Sequence, residues 1–329
     1  MFFSKPGNCL NFYSLDFRPR LKSNEFVLDR MNPLQRVRSL IDFHEQDKEQ
    51  GVERTYSYYS RTSSHLHTSK QEVDLLESPI WGQMLFLDGV LQSTTKDEVI
   101  YHSALVHPLL DTIHKTNVPM RILILGGGEG ATAREVLRWS EVEHVTMVDY
   151  DDELVDLMKF RGQAWSQGAF NDSRLKLIYD DAWKYMETSP EYDGILIDLT
   201  DPDLKKDRWM PLLLSVVKSI KKRQGGFVMN AGLYLPWKTE QLRVLKEMME
   251  ELCSANPEFT YHMYTAMVPS FNGEWTFIVV HTTRRHMIEP EHLNILPSWI
   301  RRTVRMLDMA LLDDVVDTSP VRSSISSFL

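Results

Sequence analysis

Two periods of hydrophobic and polar positions divide this chain. Between Glu53 and about Ser93, the runs "RTYSYYSRT", "HLHTSKQEVDLLES" and "GQMLFLDGVLQST" are rich in β-formers and are broken by "SPIWG" and "LDG", as antiparallel hairpins are. A small β domain is expected there. Over "KDEVIYHSALVHPLLDTIH", Ile100, Leu105, Leu109 and Ile113 return at roughly helical spacing, which predicts a helix. From Arg121 onward, strand-like and helix-like runs take turns: "RILILG", "ATAREVLRWS", "HVTMVDY", "DELVDLMKF", "LKLIYDD", "AWKYMET", "YDGILIDL", "RWMPLLLSVVKSIK", "GGFVMNA" and "TEQLRVLKEMMEELC". Such alternation predicts an α/β doubly wound sheet with helices on both faces and ligand groups at the carboxyl ends of its strands. "FTYHMYTAMV" and "EWTFIVVH" add a terminal hairpin, and residues 300–329 predict a helix or two before a disordered Ser-rich end. Toward the N-terminus, "SKPGN" is turn chemistry and "PLQRVRSLIDFHEQDKEQ" reads as a helix.

Composition narrows the class of protein. With 329 residues, 43% hydrophobic and 25% charged, the chain is an ordinary globular protein of about two domains. Its two cysteines, Cys9 and Cys253, form no CxxC, so neither a disulfide framework nor a zinc site is expected. No run approaches about 18 uninterrupted apolar residues, and the first residues lack a basic region followed by an apolar one. The expectation is a cytoplasmic protein with no membrane partner. A net charge of −9 disfavours nucleic acid and mildly favours a cationic partner.

The chemistry begins at "GGGEGA", residues 126–131, between a predicted strand and a predicted helix. Gly126, Gly128 and their neighbours offer backbone N–H groups and room for a close ligand; a plain tight β-to-α turn is the alternative. Asp149 closes the next strand, where a carboxylate can take both hydroxyls of a ribose. Together they indicate a nucleoside site. A dinucleotide would set its pyrophosphate beside Glu129, and like charges within about 4 to 6 Å are costly in a partly dry cleft. A donor with a sulfonium centre or an ammonium tail is instead attracted. Farther along, Asp180 in "YDD" stands where it could accept from an adenine amino group, or it could share with Asp181 the capping of "AWKYMET". "IDLTDP" brings Asp198 to the same edge, and Asp201 follows in a turn that it could simply cap.

An acid-lined cleft for a sulfonium donor suits an amine nucleophile. An alkylamine, with a pKa of about 10, must lose a proton before it attacks carbon. Asp198 is the candidate to bind the cation and help the proton leave, with the Tyr101 hydroxyl as neighbour and Asp201 beyond. Most of the rate would come from holding nitrogen and electrophilic carbon in line.

At this point the residues carry a resemblance. "LFLDGVLQSTTKDEVIYHSALVHPLL", "ILGGGEGATAREVLRW", "VTMVDYDDELVDLMK", "QGAFNDSRLKLIYDDAWKYM" and "YDGILIDLTDP" closely resemble the spermidine synthase family, the polyamine aminopropyltransferases. These move an aminopropyl group from decarboxylated S-adenosylmethionine to an amine and release 5'-methylthioadenosine. The resemblance implies a Rossmann-like, methyltransferase-type domain preceded by the small β domain, assembled as a homodimer or homotetramer. It implies decarboxylated S-adenosylmethionine as co-substrate, a small polyamine as partner, and no metal. Carried over by motif, Gln71 and Asp149 would hold the ribose, Asp180 the adenine, and Glu129 and Asp198 the donor amine. Gln92 and His102 would line the donor cleft, while Tyr101, Asp198 and Asp201 would position the attacking nitrogen. The expected division is an extension over 1–52, a β domain with its helix over 53–118, a catalytic domain over 119–300 and a helical tail over 301–329.

Departures from the family pattern concern the acceptor. Where putrescine-using members carry a glutamate and a tyrosine, this chain has Gly232 in "NAGLYLPW" and Phe271 in "VPSFNGEW". "GGGEGA", "IYH", "NAG" and "VPSF" resemble thermospermine synthase and agmatine-using enzymes, so spermidine or agmatine is set level with putrescine or slightly above it. Restoring Glu at 232 with Tyr at 271 is expected to favour putrescine. Two rivals remain: an S-adenosylmethionine methyltransferase, whose donor keeps a carboxylate that Glu129 and Asp198 would repel, and an inactive paralogue acting as a binding subunit. The methionines of "LKEMMEELC", with Trp139, Trp165 and Trp183, are read as packing residues. His65 and His67 are read as solvated strand positions and "RRH" at 284–286 as a solvated turn.

Overall fold

The computed structural model describes residues 40–47, 51–114, 119–188, 191–202, 205–282 and 296–312. Strands β1 (Leu40–Asp47) and β2 (Val52–Tyr59) form an antiparallel pair. Strands β3 (Ser64–His67), β4 (Glu72–Ser78), β5 (Gly82–Leu87) and β6 (Val90–Thr94) form a four-stranded antiparallel sheet in that order. The two sheets meet through Tyr56, Tyr58, Leu76, Met84, Phe86 and Leu91, all buried. Tyr56 and Tyr58 come from the alternating face of β2, Leu76 from β4, Met84 and Phe86 from β5 and Leu91 from β6.

β1 corrects the expected helix over 33–50. Glu, Gln and Lys give "FHEQDKEQ" a helical look, but Glu45 is buried and accepts from Tyr56 Oη at 2.8 Å and from the Leu91 backbone N at 2.9 Å. A satisfied carboxylate inside a sheet interface reads from sequence like a solvated helix position. Among the described residues the antiparallel region therefore includes Leu40–Asp47 as well as the chain from residue 53.

Helix α1 (Glu98–Ile113) crosses to the large sheet and is buried nearly all round, with Leu105, Leu109 and Ile113 fully enclosed. Gly194 admits it, since a Cβ there would lie 2.7 Å from Ile113 Cδ1. Truncating Leu109 to Ala would cost about 2 to 5 kcal/mol. The large sheet then builds from β7 (Met120–Gly126), α2 (Ala131–Leu137), β8 (Val142–Asp149), α3 (Asp152–Arg161), α4 (Gln163–Ser166) and β9 (Leu175–Tyr179). It continues with α5 (Ala182–Glu187), β10 (Gly194–Asp198), α6 (Lys206–Lys221), β11 (Gly226–Tyr234), α7 (Glu240–Ala255), β12 (Phe259–Val268) and β13 (Gly273–Thr282). With β14 (Val304–Met306) at one edge, its eight strands run in the order β14-β12-β13-β11-β10-β7-β8-β9. β7 to β11 are parallel, and β12 and β13 form the expected antiparallel hairpin against β11.

Apolar runs such as "RILIL" occupy the sheet centre because both its faces are covered. α1 and α2 cover one face, and α6 and α7 the other, where Met248 and Met249 are core residues as expected. Trp165 is fully buried and donates to Ser93 Oγ at 2.8 Å, joining the small sheet to the large one. Beyond α8 (Ser298–Arg301), where a helical tail is expected, Val304–Met306 form the short strand β14 paired with β12, and Met309–Leu312 make one short helical turn; residues 313–329 lie outside the described residues. Edge pairing overrides a helix-forming composition there. "RRH", the Ser-rich end and Cys9 lie outside the described residues. Among the described residues, no helix is long and apolar enough to cross a membrane.

Candidate active site

Parallel register brings the expected residues to one edge. Asp198 pairs with Gly126 across β10 and β7, and Asp149 with Tyr179 across β8 and β9, so four strand ends open side by side. The glycine loop closes tightly over β10. Gly126 has φ +84°, and a Cβ on it would lie 2.1 Å from the Asp198 carbonyl oxygen, so only glycine fits. A Cβ on Gly128 would lie 2.9 Å from Asp149 Oδ2, which leaves that carboxylate facing the loop.

Asp198 is held from both sides. Tyr101 Oη donates to its Oδ1 at 2.9 Å and Thr132 Oγ1 to its Oδ2 at 2.5 Å. Burial and the nearby Glu129 charge push its pKa up to about 6, against the pull of His102 and both hydroxyls. Asp149 is likewise raised to about 6, by burial above all. Burial, then the Asp198 charge, keeps the Tyr101 proton in place well above the ordinary phenol range. The edge therefore carries more negative charge than its own groups neutralise.

The answer to the glutamate in the glycine loop is partly internal. His102 Nε2 lies 2.7 Å from Glu129 Oε1, and His102 Nδ1 lies 2.8 Å from Glu98 Oε2. Burial would lower the pKa of His102, but its bonds to Glu129 and Glu98 outweigh that and raise it well above the usual value. Glu98 is clamped in turn by Arg134, through two bonds of 2.9 Å. Arg134 also binds Glu135 at 2.8 Å, and Glu135 meets His107 at 2.9 Å. Burial would raise Glu135, yet the His107 bond and the Arg134 charge bring it down to about 2. This buried ladder under the loop was not anticipated, and neither was Thr132. Glu98 and His102 lie one helical turn apart in "KDEVIYH", and Arg134 and Glu135 are adjacent in "ATAREV", where the two glutamates and the arginine read as ordinary solvated helix positions.

The remaining expected residues are placed less uniformly. Gln71 Nε2 donates to Asp151 Oδ2 at 2.8 Å, beside rather than on Asp149. Asp151 also accepts from Thr68 and caps α3 through the Leu154 N–H at 3.0 Å. The backbone N of Asp180 donates to the Asp149 carbonyl at 3.1 Å, while its side chain pairs with Lys184 at 3.0 Å. Asp181, not Asp180, caps α5, through Lys184 N at 3.1 Å. Gln92 turns to the Val90 carbonyl on its own strand, 3.1 Å away. Asp201 is exposed, with Oδ2 3.9 Å from where a Cβ on Gly232 would stand. An aromatic wall faces Tyr101: Phe271 and Trp275 at 6.2 Å and Phe277 at 5.2 Å between ring centres.

His102, Glu129 and Asp198 also make a conceivable metal cluster, with ligand atoms within 4.8 Å of one another. The 2.7 Å contact between His102 and Glu129 is a proton-sharing distance, shorter than two ligands of one tetrahedral ion stand apart, about 3.3 Å. The geometry suits an organic ammonium better. His65, read as solvated, is half-exposed and meets Asp74 at 2.5 Å.

A mostly parallel sheet with a glycine loop and successive carboxylates at its strand ends defines a doubly wound protein of the nucleoside-binding kind. More narrowly, residues 98–290 match the family model described as the spermine/spermidine synthase domain, and the chain belongs to that family. A polyamine aminopropyltransferase of Sulfurisphaera tokodaii is 38% identical over 213 residues, which cover 64% of this chain and 68% of that one. The enzyme of the same name from Sulfolobus acidocaldarius is 40% identical over 233 residues, covering 68% and 71%. In fold, the chain is similar to the spermidine synthase of Thermotoga maritima, with a TM-score of 0.65, 20% identity, and coverage of 87% and 93%. It is equally similar to a spermidine synthase in complex with the transition-state analogue AdoDATO, with a TM-score of 0.66, 21% identity, and coverage of 87% and 94%.

Proposed function

We propose that this chain is a polyamine aminopropyltransferase, moving the aminopropyl group of decarboxylated S-adenosylmethionine to an amine and releasing 5'-methylthioadenosine. The observation that carries the reading is Asp198, raised to about 6, gripped by the Tyr101 and Thr132 hydroxyls and set beside Glu129. Asp149 takes the ribose hydroxyls, with Gln71 and Asp151 behind it, and Asp180 exchanges Lys184 for the adenine amino group. Glu129 has one oxygen on His102 and offers the other to the donor ammonium. Gln92 lines the outer donor cleft.

Asp198 binds the incoming ammonium and accepts its proton, and Asp201 and Tyr101 aim the nitrogen. The nitrogen lone pair then forms a bond to the methylene beside sulfur, and the C–S bond breaks with its electron pair left on sulfur. The sulfonium becomes a neutral thioether. A carboxylate near pH 6 is mostly ionised at neutrality yet basic enough to help. The acceptor is spermidine or agmatine at least as readily as putrescine. The enzyme is taken to be cytoplasmic and homo-oligomeric, with no metal, nucleic acid or membrane in its reaction. A methyltransferase donor would bring a carboxylate against Glu129 and Asp198, which disfavours that reading.

The test is methylthioadenosine release from decarboxylated S-adenosylmethionine, with putrescine, agmatine, cadaverine, spermidine and norspermidine offered singly and products weighed by mass spectrometry. Turnover with any one of them supports the reaction. Silence with all five returns the reading to a methyltransferase or an inactive binding subunit.

A further inference from the structure

The glycine-loop side of the cleft carries Glu129, Asp149 and Asp198, whereas the corner across from it joins Asp201 to a neutral amide, Gln241. β11 bulges between Asn230 and Gly232, where its register against β13 slips, and Gly232 takes φ +83°. A Cβ on Gly232 would lie 2.9 Å from Gln241 Nε2 and 3.9 Å from Asp201 Oδ2. The Gln241 amide, from the first turn of α7, thus fills the space into which a side chain at 232 would grow. A glutamate at 232, which the sequence leads one to expect would favour putrescine, would take a left-handed backbone conformation and would need the Gln241 amide to move aside. Gln241 is tied down only by a long 3.4 Å bond from Nε2 to the Ala231 carbonyl. Asp201 joins this corner to the reacting edge, because its charge is felt at the Tyr101 hydroxyl that grips Asp198.

We propose that Gln241 is a specificity-determining residue: its neutral amide keeps the far end of the acceptor cleft from having a second carboxylate beside Asp201, and so selects against a short diamine. The inference rests on the aminopropyl-transfer reading. A primary ammonium is a compact, strongly hydrated charge that loses its water on entry, and an amide repays less of that loss than a carboxylate. A guanidinium is more weakly hydrated, and its fork can donate to the Gln241 carbonyl and to Asp201 together. A longer amine can carry its terminal charge past the corner into water.

The test is Gln241→Glu beside wild type and Gln241→Leu, with kcat/KM measured for putrescine, agmatine, spermidine and norspermidine. Glutamate suits the first turn of a helix, so the fold should stand, and a thermal melt checks this. In Gln241→Glu, putrescine should gain at least about tenfold relative to the amine that wild type uses best. The gain should lie in the amine KM, with the donor KM unchanged. Gln241→Leu should show no such gain. An unchanged ratio in Gln241→Glu, an equal gain in Gln241→Leu, or a wild type that already prefers putrescine would each overturn the role of Gln241 while leaving the reaction standing. Silence of wild type with every amine would overturn the reaction, and this role with it.

Discussion

The two sides of the cleft are built by different means. On the donor side, Gly126, Asp149, Asp180 and Asp198 stand at the ends of neighbouring parallel strands, fixed by backbone register and by a ladder of buried charges beneath. On the acceptor side, Phe271 ends a short turn, Gly232 sits on a bulge and Gln241 reaches in from a helix. A register cannot shift by one residue without turning every side chain over, whereas a bulge or a turn can change one residue at a time. On the proposed assignment of the two sides, donor recognition is rigid and acceptor choice adjustable.

Breaking the donor side should give the largest effects. Asp198→Asn is expected to lower turnover by about two to four orders of magnitude, read as methylthioadenosine release, with a smaller loss of donor affinity. The same variant should melt higher at pH 7, by about 1 kcal/mol after allowing for the hydroxyl that must turn away. The sign follows from a folded pKa of about 6 against 3.8 when unfolded. Above pH 6 the folded protein bears the full cost of the buried charge, and between about 6 and 4 that cost is relieved. Glu135 runs the other way: from 4.5 down to about 2, its stabilisation is lost as it takes up a proton.

Arg134→Ala should come next, costing about 3 to 5 kcal/mol in a denaturant titration, because Glu98 and Glu135 would be left buried without their partner. Glu129→Gln is smaller: the donor KM should rise about tenfold to a hundredfold with less change in the amine KM. A pH profile sharpens the same side. Below pH about 6, kcat/KM for the amine should fall about tenfold per unit as Asp198 is protonated, and a flat profile would remove Asp198 as base. On the acceptor side, Phe271→Tyr should shift the ratio of putrescine to longer amines by only about two- to fivefold, since it adds one hydroxyl to an aromatic wall. Equal movement of the donor KM would mean that the two sides are not separate.

Legibility in the sequence follows the same division. Strand-loop-helix junctions are local, so "GGGEGA", "VDY", "YDD" and "IDLTDP" announce their places before any fold is known. Glu98, Arg134 and Thr132 give no such signal, because the contacts that set them, Glu98 with Arg134 and Thr132 with Asp198, span 36 and 66 residues, and a buried charge looks like a surface one until its partner is seen. Gln241 gives no signal at all, since its role comes from a bulge nine residues earlier that only the sheet reveals. Leu40–Asp47 and Val304–Met306 were mistaken because strand pairing supplied from elsewhere outweighed local helix propensity.

The raised carboxylates Asp149 and Asp198 also bear on how a catalytic cycle would end. In the proposed reaction the incoming donor is a dication, sulfonium at one end and ammonium at the other, and its charges offset those of Glu129 and Asp198. After transfer the nucleoside left behind is an uncharged thioether, so the cleft that drew the donor in has little electrostatic hold on the by-product. Departure of the spent nucleoside restores the repulsion among the acids, and that recoil readies the cleft to draw in the next donor.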